Sequence, residues 1–184
     1  NYYLGLFVAN IFEVFPENSG ILKEYYNEVL EKETCNNDKY VKRFMSKLKG
    51  FKKQISSKDE KMFEDPIHVL KNIDFCELWK SEELSDNNKN KIWEYMQTLY
   101  ILGETIITDG DKILNIVKKF KENSELESEV VNREENGNDS EDDEILNMLK
   151  NLTSADTDHI DENFINEGLL GNLAKELTED IDFS

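Results

Sequence analysis

The sequence predicts an all-α protein, a multi-helix bundle followed by an acidic tail. Within residues 1–120, large apolar side chains recur at the three- and four-residue steps that line one face of a helix. Residues 1–120 carry 18 Lys/Arg and 20 Asp/Glu, whereas residues 121–184 carry 4 and 20. Of the 19 aromatic residues, 17 precede residue 121. A core is built from large apolar side chains, since each one that is buried contributes roughly 1.5–3 kcal/mol. We therefore expect a helical core domain (1–121), followed by a flexible acidic linker (122–143) and amphipathic tail helices (144–184).

The first two predicted helices are separated by Pro16, which pushes its predecessor out of the α region. Ser19 or Gly20 starts the second helix. Their apolar stripes are Leu4, Phe7, Val8, Ile11, Phe12 and Phe15, and then Ile21, Leu22, Tyr25, Tyr26, Val29 and Leu30. The loop that follows, from Cys35, ends in Asp38, a good N-cap for the next helix.

The third helix is predicted from Lys39 to about Ile55, with no acidic residue between Lys39 and Lys53. Its apolar stripe is Tyr40, Val41, Phe44, Met45, Leu48, Phe51 and Ile55. Its other side, the basic face, consists of Lys39, Lys42, Arg43, Lys47, Lys49, Lys52 and Lys53.

Shorter elements follow. Ser57 and Glu60 have capping-box spacing, which predicts a short helix that starts at Lys58 and ends before Pro66. We expect Phe75 and Trp79 to anchor one or two helical turns within residues 67–80.

The next helix, capped by Ser85 or Asp86, contains KIWEYMQTLYILGE. It is apolar over so much of its circumference that we expect it to lie buried at the centre of a bundle. Gly103 would let a neighbouring helix approach closely. Asp109-Gly110 marks a turn before the last core helix. The last core helix has the stripe Ile113, Leu114, Ile116, Val117 and Phe120.

Sequence motifs for catalysis or metal binding are absent. There is no phosphate loop, nucleophile elbow, dinucleotide fingerprint or His-x-x-x-His pair. Two cysteines are too few for a disulfide framework or a zinc site. Residues 156–167 place Asp156, Asp158 and Glu167 as in a calcium loop, but Ile160 and Asp161 occupy positions 5 and 6. We therefore expect a protein that is not an enzyme and has no metal or cofactor, and we find no segment with the ~20 apolar residues of a membrane span.

The tail favours protein binding. Short amphipathic helices are marginal in water, so they either dock on their own core or fold in a partner's groove. We expect a non-enzymatic adaptor or assembly factor that binds a protein partner through tail side chains. These are Leu146, Leu149, Phe164, Leu169, Leu170, Leu173 and Leu177.

The alternative function uses the basic face, because closely placed Lys and Arg can replace the counterions of a nucleic-acid backbone. The same face is also typical of an ordinary solvated helix. A further alternative is that the acidic tail covers the basic face, as an autoinhibitor or a nucleic-acid mimic. The tail alone would suit a chaperone of histone-like basic proteins.

Three stretches, FCELW, IWEYMQTLYILGE and GNLAKELTEDI, are similar to uncharacterised helical proteins of large cytoplasmic DNA viruses of protists, of the mimivirus and phycodnavirus type. The matching positions are Trp93, Tyr95, Gln97 and Leu99, and then Gly171, Leu173, Ala174 and Glu176. Met96 stands where such proteins have Leu. The resemblance implies a viral protein in host cytoplasm or a viral factory, and it implies no biochemical activity.

Overall fold

The computed structural model describes residues 2–31, 37–107, 112–113, 115–119 and 140–154. These residues form helices and connecting turns without a named strand, which confirms the all-α class. The chain divides into two compact units, Asn1–Gly103 and Glu104–Ser184. The predicted domain boundary after residue 121 falls inside the second unit.

The first unit opens with two helices, α1 (Tyr2–Val14) and α2 (Ser19–Glu31), joined by a 3-10 turn at Pro16–Asn18. The predicted stop at Pro16 is confirmed, since Pro16 begins the turn and Ser19 begins α2. In both helices the apolar stripe turns inward. Its fully covered members include Leu4, Phe7, Val8, Ile11, Phe15 and Leu22.

The predicted third helix is in fact two helices with a tightened turn between them. α3 spans Lys39–Leu48, a 3-10 turn spans Lys49–Phe51, and α4 spans Lys52–Ser57. Gly50 lies in that turn, and glycine is about 1 kcal/mol less favourable than alanine inside an α-helix. The chain leaves α4 at Lys58, whose φ of 53° is left-handed.

One predicted cap is confirmed in position and one is wrong. Asp38 is the N-cap residue of α3 but makes no side-chain capping hydrogen bond, and the Asn37 Oδ1 accepts from the Lys39 N–H at 3.1 Å. Ser57 belongs to α4 and donates its hydroxyl to the Lys53 carbonyl at 2.9 Å, so it cannot cap a following helix. Asp59 takes that role for a 3-10 helix, Glu60–Phe63, which ends before Pro66 as predicted.

Residues 67–80 are held by Asp74. Its Oδ1 accepts from the Ile67 N–H at 3.0 Å and from the Cys76 N–H at 2.9 Å, so one carboxylate ties the loop to the start of α5 (Phe75–Lys80). The predicted anchors are confirmed, since Phe75 and Trp79 are both buried. Trp79 stacks on Phe63 with ring centroids 4.2 Å apart.

The longest helix, α6 (Asp86–Ile107), is capped by Ser85, whose Oγ accepts from the Asn88 N–H at 3.3 Å. The predicted burial over most of its circumference is confirmed. Its buried residues are Ile92, Trp93, Glu94, Met96, Gln97, Thr98, Leu99, Tyr100, Ile101 and Gly103. The predicted close approach at Gly103 is also confirmed, because a Cβ there would collide with the Met45 side chain of α3.

The second unit contains a helix, α7 (Ser140–Ser154), which begins inside the stretch predicted as linker. The buried apolar residues described in this unit are Ile113, Ile116, Val117, Ile145, Met148, Leu149 and Leu152. The Asp109-Gly110 turn, residues 122–139 and residues 155–184 lie outside the described residues. Along the described ranges, no helix is both long enough and apolar enough to cross a membrane.

Candidate polyanion interface and tyrosine cleft

The basic face lies on the solvent side of α3, the 3-10 turn and α4. Val41, Phe44, Met45, Leu48 and Ile55 are buried, as the sequence predicts for the apolar stripe. Lys52 is half-buried, and the other six cations of the basic face are exposed. The 3-10 turn therefore leaves the predicted separation of apolar and basic sides intact.

Two of these cations are partly neutralised by carboxylates. Lys39 Nζ lies 3.5 Å from Glu28 Oε2, and Lys42 Nζ lies 3.8 Å from Asp38 Oδ2. Both ion pairs are well exposed, so solvent screens them and each contributes little to stability. No described carboxylate lies within 4.0 Å of the cationic group of Arg43, Lys47, Lys49, Lys52 or Lys53.

A cleft of about 710 Å³ opens where α2 meets the N-terminal end of α3. It is lined by three tyrosines, three cations and two carboxylates together with an amide. These are Tyr25, Tyr26, Tyr40, Lys39, Arg43, Lys71, Glu24, Glu28 and Asn27. We call it the tyrosine cleft. Because Lys39 and Arg43 also belong to the basic face, the two surfaces are continuous.

Hydrogen bonds fix the three phenol groups. Tyr26 Oη accepts from the Lys71 N–H at 2.9 Å, and Tyr40 Oη donates to Glu28 Oε2 at 3.1 Å. Tyr25 Oη accepts from Asn72 Nδ2 at 3.2 Å, where Asn72 has a left-handed φ of 59°. The rings of Tyr26 and Tyr40 lie 5.9 Å apart, tilted by 40°.

Two ammonium groups flank the rings. Lys71 Nζ lies 3.8 Å from the centre of the Tyr25 ring, and Lys39 Nζ lies 4.7 Å from that of Tyr40. Cations at such distances are attracted by the electron-rich ring face. The cleft therefore already combines aromatic surface with positive charge.

Two phenols of the cleft, those of Tyr26 and Tyr40, hold their protons firmly. Burial raises the pKa of Tyr26, although the Lys71 N–H and the nearby Arg43 guanidinium act against that rise. Burial also raises the pKa of Tyr40. Hydrogen bonding to Tyr40 raises the pKa of Lys39, so at neutral pH the phenols of Tyr26 and Tyr40 are uncharged and this ammonium is charged.

The sequence pattern predicts the basic face but not the tyrosine cleft. It assigned the three tyrosines to apolar stripes, and Tyr26 is indeed 3% exposed, but Tyr25 and Tyr40 are only half-buried. Lys71 comes from a distant loop that carries no recognisable pattern. Two sequence features could have indicated the cleft, namely the pair Tyr25-Tyr26 in the second apolar stripe and Tyr40 next to Lys39 in the third.

Of the seven predicted partner-binding side chains of the tail, the structure describes two. Leu149 is buried and Leu146 is half-buried in α7. Phe164, Leu169, Leu170, Leu173 and Leu177 lie outside the described residues. The surface that these five side chains would present to a partner stays a prediction.

Neither the search for a metal site nor the comparison with known proteins assigns a function to the chain. In the parts of the chain that the structure describes, no three His, Cys, Asp or Glu side chains converge as a metal-ligand set. The fold and the cleft define an all-α protein with a basic helical surface. Comparison with protein families, with curated proteins and with solved structures finds no match.

Proposed function

We propose that this protein is a non-enzymatic, polyanion-binding regulator that uses the basic face of α3 and α4. The observation that carries the proposal is a run of five cations, at positions 43, 47, 49, 52 and 53, without a carboxylate partner among the described residues. Phosphate contacts from lysine and arginine release condensed counterions and so supply affinity for nucleic acid.

The arrangement of these cations is unfavourable for the isolated protein. Like charges at four-residue spacing destabilise a helix by a few tenths of a kcal/mol, and Arg43 and Lys47 of α3 have that spacing. Acidic residues would relieve the repulsion, yet none occurs between Lys39 and Lys53. A bound polyanion would relieve the same repulsion, which supports a binding role over a merely solvated face.

The net charge of −18 does not oppose local binding at physiological salt. Screening limits charge interactions to about 8 Å at that ionic strength. The excess negative charge belongs to residues 121–184, so this segment is the natural competitor for the basic face. Binding would then be regulated by salt and by whatever occupies the acidic segment.

The test compares two triple variants of equal charge. Lys47→Gln, Lys49→Gln and Lys53→Gln together remove cations of the basic face, whereas Lys23→Gln, Lys118→Gln and Lys119→Gln remove three exposed cations elsewhere. Fluorescence anisotropy with a labelled oligonucleotide is measured from 25 to 200 mM NaCl. We expect the first variant to lower the salt slope by about 3, one unit for each lost phosphate contact.

The control variant is expected to keep the wild-type slope. Equal weakening by both variants would mean that only total charge matters, and it would contradict a site on the basic face. Absence of oligonucleotide binding by the wild type at 25 mM NaCl would remove the proposal.

We propose as a second candidate an adaptor whose tail binds a protein partner. It is supported by the apolar spacing within residues 164–177, a sequence pattern typical of helices that bind in a partner's groove. Leu170→Asp with Leu173→Asp should abolish capture of a discrete partner from nuclease-treated lysate, while the thermal unfolding of the core is unchanged. If the pair leaves every interaction intact and disrupts the core instead, the tail is structural. Salt-sensitive capture of basic proteins alone would favour the histone-like chaperone.

We also propose that the protein is viral and is located in the cytoplasm of the host. Both rest on the resemblance of FCELW, IWEYMQTLYILGE and GNLAKELTEDI to helical proteins of large DNA viruses. Immunofluorescence of infected cells tests both, since the proposal expects signal in the cytoplasm or in a viral factory.

A further inference from the structure

We infer that the polyanion taken by this protein is a single-stranded nucleic acid, with one unstacked base seated in the tyrosine cleft. The inference rests on the proposed function, because it requires the basic face to bind phosphates. Its own observation is that the cleft is continuous with that face. Lys39, Tyr40 and Arg43 of α3 line the cleft, and the remaining cations continue along the same surface.

Aromatic surface is what distinguishes the cleft from the rest of the basic face. Tyr25 and Tyr40 are half-buried, so part of each side chain stays accessible. Their hydroxyls are held by Asn72 and Glu28, so the rings are already in place before a ligand arrives. Every base has a flat π-face, and stacking on such side chains therefore binds single strands with little sequence preference.

Positive charge lies over one face of each of these rings, so a stacking base has to use the other face or displace a flexible ammonium group. Lys71 Nζ is 3.8 Å from the Tyr25 ring, and the Arg43 guanidinium is close enough to the Tyr26 hydroxyl to oppose the rise in its pKa. A base in the cleft would bring its phosphate to these two groups. Neither Arg43 nor Lys71 pairs with a carboxylate in the described part of the chain.

The acidic members of the cleft set its limits. Glu28 already accepts from Tyr40 and pairs with Lys39, which neutralises its charge. The remaining charged groups of the cleft are one carboxylate, Glu24, and two cations, Arg43 and Lys71, so its net charge is positive. Its volume of about 710 Å³ accommodates a nucleotide.

Duplex DNA cannot use the cleft in this way. Its bases are stacked inside the double helix, and exposing one costs a few kcal/mol. A basic face alone would bind duplex at least as well as single strand, because it responds only to phosphate charge. Preference for single strands is therefore the signature of the cleft.

The test uses the full chain with labelled dT15 and with a 15-base-pair duplex, compared by fluorescence anisotropy at 50 and 150 mM NaCl. We expect the single strand to bind roughly tenfold more tightly than the duplex. Tyr40→Leu should abolish that preference by lowering the affinity for the single strand. Tyr40→Phe, which loses the hydroxyl but keeps the ring, should retain the preference.

A second measurement does not depend on the folding of a variant. Oligonucleotides carrying 5-iodouracil cross-link to aromatic side chains under near-ultraviolet light, and mass spectrometry locates the cross-link. We expect it at Tyr25 or Tyr40. Cross-links confined to other residues would overturn the inference.

Failure of the inference and failure of the proposed function are separable. Equal binding of single strand and duplex, unchanged by Tyr40→Leu, would overturn the cleft as a base site and leave polyanion binding standing. No binding of either nucleic acid at 50 mM NaCl would overturn both.

Discussion

Gly5 lies at the contact between α1 and α2. A Cβ at this position would be 2.6 Å from the carbonyl oxygen of Val29. Backbone of a packed helix cannot rotate aside as a side chain can, so a methyl group here forces the two helices apart. Gly20, near the start of α2, faces open space, and a Cβ there would have no neighbouring atom within 4 Å.

These two glycines provide a matched prediction. Gly5→Ala should lower the free energy of unfolding by about 1–3 kcal/mol, the usual cost of overpacking a core. Gly20→Ala should raise it by up to about 1 kcal/mol, because alanine favours the helix more than glycine does. Urea unfolding followed by circular dichroism measures both, and a loss of equal size in the two variants would contradict the close approach at Gly5.

For single residues, the sequence predicts whether a side chain is buried better than it predicts its hydrogen-bond partner. It predicts Trp79 and Trp93 as core residues, and they are 8% and 3% exposed. It predicts Ser57 as a cap, yet Asp59 takes that role, and Asp38 is the N-cap of α3 without a side-chain bond. A cap depends on backbone angles within one residue of the helix start, and those angles follow from packing that a local pattern does not contain.

At the scale of the element, α3 separates stability from function across its two sides. Phe44 is 2% exposed and meets the Phe7 ring edge-on, with centroids 6.4 Å apart. Lys47 lies one turn away on the exposed side. The two residues therefore belong to one helix and to different roles.

Phe44→Ala should destabilise the protein by about 3–5 kcal/mol, through lost burial and the cavity that remains. Lys47→Ala should change the free energy of unfolding by no more than about 0.5 kcal/mol, as exposed substitutions do. Chemical denaturation measures both. A cost above about 1 kcal/mol for Lys47→Ala, beyond the range of ordinary surface changes, would show that the basic face contributes to the fold and would weaken its assignment to binding.

Element boundaries show where periodicity stops being informative. The predicted stripe of residues 40–55 is buried, except that Tyr40 and Phe51 are half-buried. The 3-10 turn at Lys49–Phe51 escapes prediction, because a turn of this kind changes the hydrogen-bond register without moving the stripe off the core.

At the scale of the whole molecule, stability should depend on alkaline pH. Burial raises the pKa of Tyr26, Tyr40 and Tyr95, so each phenol holds its proton more tightly in the folded state than in the unfolded state. Their contribution is fully present below the unfolded pKa of about 10. It is lost as pH rises through the higher folded values, because the unfolded chain then releases protons first.

We therefore expect the free energy of unfolding to fall between about pH 9.5 and pH 11, the range in which unfolded phenols begin to ionise. Tyr95→Phe should reduce that fall, since it removes one of the three phenols and keeps the ring that packs 5.6 Å from Phe7. Urea unfolding at several pH values measures the slope. An unchanged slope in Tyr95→Phe would mean that Tyr95 does not contribute to the alkaline transition.

The all-α class, the positions of the apolar stripes and the basic face can all be predicted from local sequence patterns. These features follow from helical periodicity and from the exclusion of charged groups from the core, both of which are local. The cleft formed by Tyr25, Tyr26, Tyr40 and Lys71 cannot be predicted in this way. These residues come from two helices and a loop, so their proximity depends on how those elements pack against one another.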